Sequence, residues 1–448
     1  MIKYYLAIDI GATSGRHIVG WREEGCEGFA PSQIKTKEVY RFPNGNKMEN
    51  GHLIWDIESL TESVIEGTKK ALEQFPNIES LAIDTWGVDY VLIDKDGKPV
   101  LPCYAYRDSR TEKPIEEVHS IVPFEKLYAN TGIQFQTFNT IYQLYDDKKN
   151  GRLEGVTDFL MIPEYLSYVL TGVKKKEYTN ATTTGLINAK TGEFDTEIIN
   201  TLGYPEHLFP KLCQPGETVG MLSDDIAKRV GGQIKVVLCA SHDTGSAVEG
   251  IGIEGCDDMY ISSGTWSLLG VKSPVAITDD NSRIANYSNE GGVGYIRYQK
   301  NIMGMWTVNN LQKELCPDKK IQLVEDESRQ STLPPEAYVD INHDDFLAPE
   351  SMAAAFKKHL KGYELKTEQD YFRCSFNSLA ASYDKAIREL EANLGRKFDN
   401  LYIVGGGARN IFLNELTEAA CGKKVIALPI EATSIGNLAI QIKANENL

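Results

Sequence analysis

Apolar residues fall along this chain in near-continuous runs of strand length and in longer stretches at helical spacing. Residues 4–10 are apolar almost without a break until Asp9, which predicts a strand buried on both faces. Gly15–Trp21 and Glu38–Phe42 read as its partners in an opening meander. Leu60–Phe75 sets Leu60, Val64, Ile65 and Leu72 at helical spacing. Ser80–Thr85 is again a buried strand, Val88–Ile93 continues it past Trp86-Gly87, and Asp94-Lys95-Asp96-Gly97 is a turn. Pro163–Leu170 is a short apolar helix stopping near Gly172, and Lys174-Lys175-Lys176 after it reads as a solvated turn. Val236–Ala240 is a strand that feeds Ser241-His242-Asp243-Thr244, followed by a helix of small residues, Gly245–Gly250.

The second half starts the same way, with strands at Met259–Ser262, Ser267–Val271 and Val293–Tyr298. Helices follow at Met352–Leu360 and Gln369–Leu394, then a strand, Leu401–Val404, that ends in Gly405-Gly406-Gly407. A helix, the strand Val425–Leu428 and a last helix from Thr433 close the chain. Strands first and then alternating helix and strand, twice over, imply an α/β protein of two domains flanking a cleft. Small residues cluster at Ala247–Gly255, so the division is expected there, giving domains 1–247 and 248–448. A length of 448 residues suits that division, at roughly 200 residues per domain.

A formal charge of −16 argues against an electrostatic grip on nucleic acid or anionic lipid. An anionic substrate then needs local N–H groups, Arg or Mg²⁺. The eight cysteines form no C-x-x-C pair, which points to reduced thiols and a cytoplasmic setting. Asp9 interrupts the only short apolar run near the start, so no secretory leader is read there. No stretch approaches the roughly 20 apolar residues that cross a bilayer.

Two turns carry the chemistry. Asp9-Ile10-Gly11-Ala12-Thr13-Ser14-Gly15-Arg16 and Ser262-Ser263-Gly264-Thr265-Trp266 each end an apolar strand in Gly, Ser and Thr. Such turns offer backbone N–H groups and hydroxyls to a phosphate. A plain hairpin explains the glycines but not Asp9, because a buried unpaired carboxylate is costly. Asp9 is therefore read as holding Mg²⁺ through water. Arg16 pairs either with a transferring phosphoryl group or with a surface acid. Asp243 either caps its helix or serves as a general base for a sugar hydroxyl, with His242 and Thr244 orienting the sugar. Trp86, Gly87 and Asp89 offer an apolar face, close backbone approach and a hydroxyl acceptor, or simply belong to the core. Gly405-Gly406-Gly407-Ala408-Arg409-Asn410 suits nucleotide contact at a helix start or is a tight connection. His119, His343 and His359 lie apart from any cluster and read as surface or core residues.

These runs resemble the FGGY-type carbohydrate kinases, over nearly the whole chain. The stretches carrying the likeness are Ala7–Arg16, Ile83–Asp89, Tyr106–Thr111, Glu177–Thr184, Ser241–Thr244, Ser263–Leu268 and Lys300–Gly304. The resemblance implies two actin-like (ribonuclease H-like) ATPase domains, with ATP and Mg²⁺. It implies Asp243 as proton acceptor, and Ala12, Thr13, Ser14, Gly15, Arg16, Thr265 and Gly406 as ATP contacts. Gly87, His242, Asp243, Thr244 and Asn301 are the implied sugar contacts. Asn309 stands where the family usually has a nucleotide-binding Gln. The branch it resembles most implies phosphorylation of L-rhamnulose at O1 in rhamnose degradation, by a monomer or homodimer. Another ketose, such as L-fuculose or D-xylulose, and a non-catalytic actin-like nucleotide switch stay open as alternatives.

Overall fold

The computed structural model describes residues 2–23, 28–347, 349–428 and 431–446. Two compact units are present. The first comprises Met1–Gly252, Ser273–Tyr298 and Ala432–Leu448, and the second Ile253–Lys272 and Gln299–Glu431. Cys26 lies outside the described residues; the seven described cysteines form no disulfide. Among the described residues no helix is long and apolar enough to cross a membrane.

The first unit is built on a six-stranded sheet in the order Thr218–Met221, Lys235–Val237, Ile78–Thr85, Tyr4–Ile10, Ser14–Arg22, Ile34–Pro43. Its centre is the near-continuous apolar run read above: Tyr5 to Ile10 are all buried. Tyr4–Ile10 runs antiparallel to Ser14–Arg22 and parallel to Ile78–Thr85, which sets Asp9 opposite both Arg16 and Asp84. Helix Ile57–Gln74 begins at Asp56, whose carboxylate accepts the Ser59 N–H at 3.1 Å. The closing helix, Ala432–Glu446, lies on the Asp243–Ile251 helix. A Cβ on Gly436 would sit 1.8 Å from the Ser246 carbonyl oxygen, so the small residues of this segment serve helix contact.

Three readings of the sequence change here. Val88–Ile93 does not continue the Ile78–Thr85 strand. The chain turns at Val88 (φ +67°), and Tyr90–Asp94 joins a separate sheet with Val156–Met161 and Pro99–Val100. The strand expected to reach Ala240 ends at Val237. The lysine run is not wholly solvated. Lys176 is 3% exposed, its ammonium 2.9 Å from Asp158 Oδ1, hydrogen-bonded to the Phe159 carbonyl and over the Phe159 ring. A buried ammonium needs such partners, and a bare charge run does not reveal which member turns inward.

In the second unit, Met259–Ser263 pairs antiparallel with Trp266–Ser273 and parallel with Asn400–Val404, which pairs parallel with Lys424–Ala427. The hairpin-plus-parallel scheme of the first unit is thus repeated. The long helix Glu368–Leu394 starts at a Thr367 capping box and ends at Gly395. Tyr383 on this helix reaches the sheet through Ser267 Oγ at 2.8 Å.

Candidate functional site

In the first unit the ends of two neighbouring strands bring acids together. Asp9 and Asp84 are register partners in a parallel ladder, and both are buried. Asp9 Oδ2 accepts from Arg16 Nε (3.1 Å), Arg16 Nη2 (2.9 Å) and Ser434 Oγ (2.9 Å). Arg16, read from sequence toward a phosphoryl group, therefore rests on Asp9. Asp84 Oδ2 accepts from Asn437 Nδ2 at 2.6 Å, while its Oδ1 is buried without a hydrogen-bond partner among the described residues. Burial, then the charge of Asp9, holds Asp84 well above the usual carboxylate range; Asn437 opposes the shift. Sequence reasoning does not reach Asp84, Ser434 or Asn437 as site residues. Asp84 nonetheless carries the same signal as Asp9, an acid ending a buried strand.

Asp243 is the first residue of its helix. Its approach is fixed by the Thr85 N–H donating to the Ser241 carbonyl (2.9 Å) and by the buried Glu177 carboxylate. Glu177 accepts from the Ser241 N–H (3.1 Å) and hydroxyl (2.5 Å), and from the N–H and hydroxyl of Thr179 (both 2.7 Å). Asp243 does not cap its helix: His242 occupies that position without a side-chain cap bond. Thr244 Oγ1 donates to Asp243 Oδ1 at 3.1 Å, and His242 Nε2 lies 3.5 Å from the same oxygen. Burial first, and the Asp9 charge as well, raise the proton affinity of Asp243; His242 opposes. A carboxylate one-third exposed with raised proton affinity is suited to general-base work.

The Gly11–Thr13 turn is held from outside by Asn44. Its N–H donates to the Thr13 carbonyl at 3.0 Å and its side-chain amide to the Gly11 carbonyl at 2.8 Å. Ala12 and Ser14 are partly exposed and Thr13 is exposed. Gly15 is buried, and a Cβ there would lie 2.1 Å from the Phe42 ring. Gly87 is buried against Thr183, and Val88 donates its N–H to Thr183 Oγ1 at 3.0 Å. A β-branched residue at positive φ is strained, a marker of a functional corner that sequence does not display.

Asp89 is not open to a sugar hydroxyl. Its Oδ2 accepts from the Trp55 and Trp86 indoles (2.7 and 2.9 Å) and the Tyr106 N–H (3.1 Å), and Oδ1 from Gln143 at 3.2 Å. Burial still pushes its pKa up to about 6 against those four bonds. Trp86 is 7% exposed and packs on Trp55 with centroids 4.3 Å apart, a core pair more than an open wall.

The second unit gathers its own predicted residues. The Met305 N–H donates to the Gly264 carbonyl (2.9 Å) and the Trp306 N–H to the Thr265 carbonyl (3.2 Å), tying the turn to the helix Trp306–Leu315 that carries Asn309. Gly405 and Gly407 pack on Ser263, where a Cβ on Gly407 would meet the Ser263 Oγ at 1.9 Å. Gly406 is exposed, a Cβ there would meet nothing within 4 Å, and it begins a 3₁₀ turn. Asn410 then caps Ile411–Cys421. Asn301 lies in the strand Ile296–Met303. His343 and His359, expected apart, sit together: their rings are 4.5 Å apart and Asp345 lies between them, with His359 Nε2 2.7 Å from Asp345 Oδ2. That oxygen also pairs with the Lys358 ammonium. His119, in the first unit, is hydrogen-bonded to the Tyr142 hydroxyl at 2.8 Å.

The N-terminal domain of the FGGY family of carbohydrate kinases matches residues 4–250, and the C-terminal domain matches residues 259–444. The chain belongs to the FGGY family of carbohydrate kinases. It is a sugar kinase, a phosphotransferase with an alcohol acceptor, and the family uses ATP. The rhamnulokinase of Oceanobacillus iheyensis is 39% identical, covering 99% of this chain and 93% of the relative. That of Halalkalibacterium halodurans is 40% identical, covering 98% and 93%. Among solved structures, a ligand-bound xylulose kinase from Lactobacillus acidophilus matches with a TM-score of 0.82 at 16% identity, over 100% of this chain and 90% of that one. The Plasmodium falciparum glycerol kinase with ADP matches at 0.78 and 14% identity, over 100% and 90%. The fold is the two-domain actin-like ATPase fold of those kinases, as the sequence implied.

Proposed function

We propose that this sugar kinase transfers the terminal phosphoryl group of ATP to O1 of L-rhamnulose, giving L-rhamnulose 1-phosphate and ADP. The observation that carries the chemistry is the partly open Asp243 carboxylate, its proton affinity raised, beside His242 and within the field of Asp9. The names of the relatives, at 39% and 40% identity over nearly the full chain, support the choice of sugar. In this reading Asp243 removes the O1 proton as the oxygen attacks phosphorus. Gly87, His242, Thr244 and Asn301 orient the sugar. Ala12 to Arg16, Thr265, Asn309 and Gly406 contact ATP. Positioning and electrostatics do most of the work in such a transfer.

The residues present fit Mg²⁺. Asp84 Oδ1 is a buried carboxylate oxygen without a hydrogen-bond partner among the described residues, next to Asp9, and hard oxygen donors suit this ion. Asp9 and Asp84 would hold it, and it would neutralise phosphate charge when bound. The enzyme is proposed to act in the cytoplasm, as a monomer or homodimer, with domains divided near residue 247.

A coupled ADP-release assay over L-rhamnulose, L-fuculose and D-xylulose tests this. The highest kcat/KM is expected with L-rhamnulose. A higher value with either other ketose reassigns the sugar, and ADP release indifferent to every sugar makes the chain a nucleotide switch.

A further inference from the structure

We propose that Thr179 and Thr183 are positioning residues of the sugar site: their hydroxyls hold the main chain beside Asp243 and beside Gly87 in one fixed relation. The proposal rests on the kinase reading of those two positions. Both threonines lie in the run that begins at Glu177, where the helix Tyr178–Ala181 passes into the 3₁₀ turn Thr182–Thr184. Thr179, Thr182, Thr183 and Thr184 are all buried. A threonine hydroxyl has one proton to give and two lone pairs to offer. Here each proton is spent inside the run. Thr179 Oγ1 donates to Glu177 Oε2 at 2.7 Å, Thr182 Oγ1 to the Thr179 carbonyl at 2.7 Å, and Thr183 Oγ1 to the Asn180 carbonyl at 2.8 Å. A carbonyl only accepts, and Glu177 Oε2 already accepts the N–H groups of Asn180 and Ser241 (both 3.1 Å), so the direction of each bond is settled.

The lone pairs are then left for main-chain donors from elsewhere in the first unit. Thr179 Oγ1 accepts the His242 N–H at 3.4 Å, Thr182 Oγ1 the Gly291 N–H at 2.9 Å, and Thr183 Oγ1 the Val88 N–H at 3.0 Å. His242 directly precedes Asp243, and Val88 directly follows Gly87. Both stretches are braced a second time: the Ser241 carbonyl accepts from Asn180 Nδ2 at 3.2 Å, and the Val88 carbonyl from Thr140 Oγ1 at 2.7 Å. Val88 needs the restraint, because a β-branched residue at φ +67° stays there only where its surroundings over-determine it. Thr183 also fills the space beside Gly87, where a Cβ would lie 2.9 Å from its Oγ1. One buried segment thus registers the base-bearing stretch against the Gly87 corner, and a reacting pair tolerates little misplacement. Thr184 supplies the contrast. Its hydroxyl donates to the Ala181 carbonyl at 2.6 Å and accepts the Leu186 N–H at 3.2 Å, so it anchors nothing outside the run.

The test compares near-isosteric variants of the full chain. Thr183→Val keeps the shape of the side chain but leaves the Val88 N–H without its acceptor. Its kcat/KM for L-rhamnulose is expected to fall by about 10-fold, the order for a buried donor left unpaired. KM for ATP should stay within about 2-fold, because uniform nucleotide binding is untouched. Thr183→Ser restores the hydroxyl and should recover most of the loss. Thr179→Val is expected to lower kcat by about 10-fold on the same grounds. Thr184→Val should lower the denaturation midpoint and leave kcat/KM where it was. An unchanged kcat/KM in Thr183→Val, no recovery in Thr183→Ser, or an equal loss in Thr184→Val overturns the proposal while leaving the kinase reading standing. Hydrogen exchange by mass spectrometry gives the anchoring without turnover. The peptide containing Val88 should exchange faster in Thr183→Val and that containing His242 faster in Thr179→Val, with neither changed in Thr184→Val; unchanged exchange in the first two variants also overturns the proposal. If the unaltered protein turns over none of the ketoses, the kinase reading is what fails, and the anchoring is still decided by the exchange.

Discussion

The two units repeat one strand–turn–strand and put different chemistry on it. In the first, Asp9 sits one residue from the strand end, opposite Arg16 in the hairpin and Asp84 in the parallel ladder. In the second, the matching position is Ser262, opposite Leu268 and Val404. Both turns end in Gly and Thr, so both offer N–H groups and hydroxyls. The first stands beside buried carboxylates, where the charges of Asp9 and Asp243 act on Asp84 and that of Asp9 on Asp243. A buried acid is expensive to keep unless it has partners or a cation. Its presence in one copy and absence from the other marks where charge is handled. On this account the first unit supplies base and metal ligands, and the second supplies neutral contacts.

The sharpest way to break that division is Asp243→Asn. Turnover is expected to fall by about 10²-fold or more, the range for losing a positioned general base. ADP affinity by calorimetry should be unchanged. Near-normal turnover would remove the base from the first unit. Asp9→Asn comes next. It keeps the shape of the side chain but removes the charge that Arg16 and Ser434 hold in place. Half-maximal activation by Mg²⁺ is expected to need about 10–100-fold more metal, the usual loss on disturbing a metal shell. An unchanged Mg²⁺ titration would sever Asp9 from the ion.

Much of this asymmetry is legible in the chain itself, because it rests on local patterns. An unbroken apolar run gives a central strand, and an acid within it has few structural uses. The illegible part is long-range. Ser434 and Asn437 approach the sheet end from 425 and 353 positions away along the chain from Asp9 and Asp84. Thr183 and Val88 stand 95 positions apart, and only tertiary packing brings them together. Asp89 misleads for the opposite reason. Its place beside Trp86 and Gly87 fits a sugar wall, yet the fold commits its acceptor capacity to two indoles, a backbone N–H and Gln143. His343 and His359 read as unrelated because a spacing of 16 residues has no local meaning until the chain returns on itself.

Glycine serves close packing at or beside both turns, which a matched pair of variants can sharpen. Gly15→Ala drives a methyl into the Phe42 ring, and Gly407→Ala drives one into Ser263. Each is expected to cost about 1–3 kcal/mol, the range for overpacking, read from the denaturation midpoint. Phe42→Leu should recover part of the loss at Gly15 only. Recovery at neither site would mean that backbone conformation, not side-chain space, requires the glycine.

Thr265→Ala is the mildest change and discriminates best between the two copies. The second turn keeps its shape through main-chain bonds: the Gly264 N–H to the Trp266 carbonyl, and the Met305 and Trp306 N–H groups to the carbonyls of Gly264 and Thr265. Removing the Thr265 hydroxyl therefore leaves the backbone N–H groups where they are. If the second unit contributes neutral contacts to ATP, the loss is one ordinary hydrogen bond, about 1 kcal/mol. KM for ATP should then rise by about 5-fold with kcat nearly constant, the pattern of lost uniform binding. A fall in kcat as large as that of Asp9→Asn would place Thr265 in the transition state itself, and the assignment of charge-handling chemistry to the first unit alone would fail.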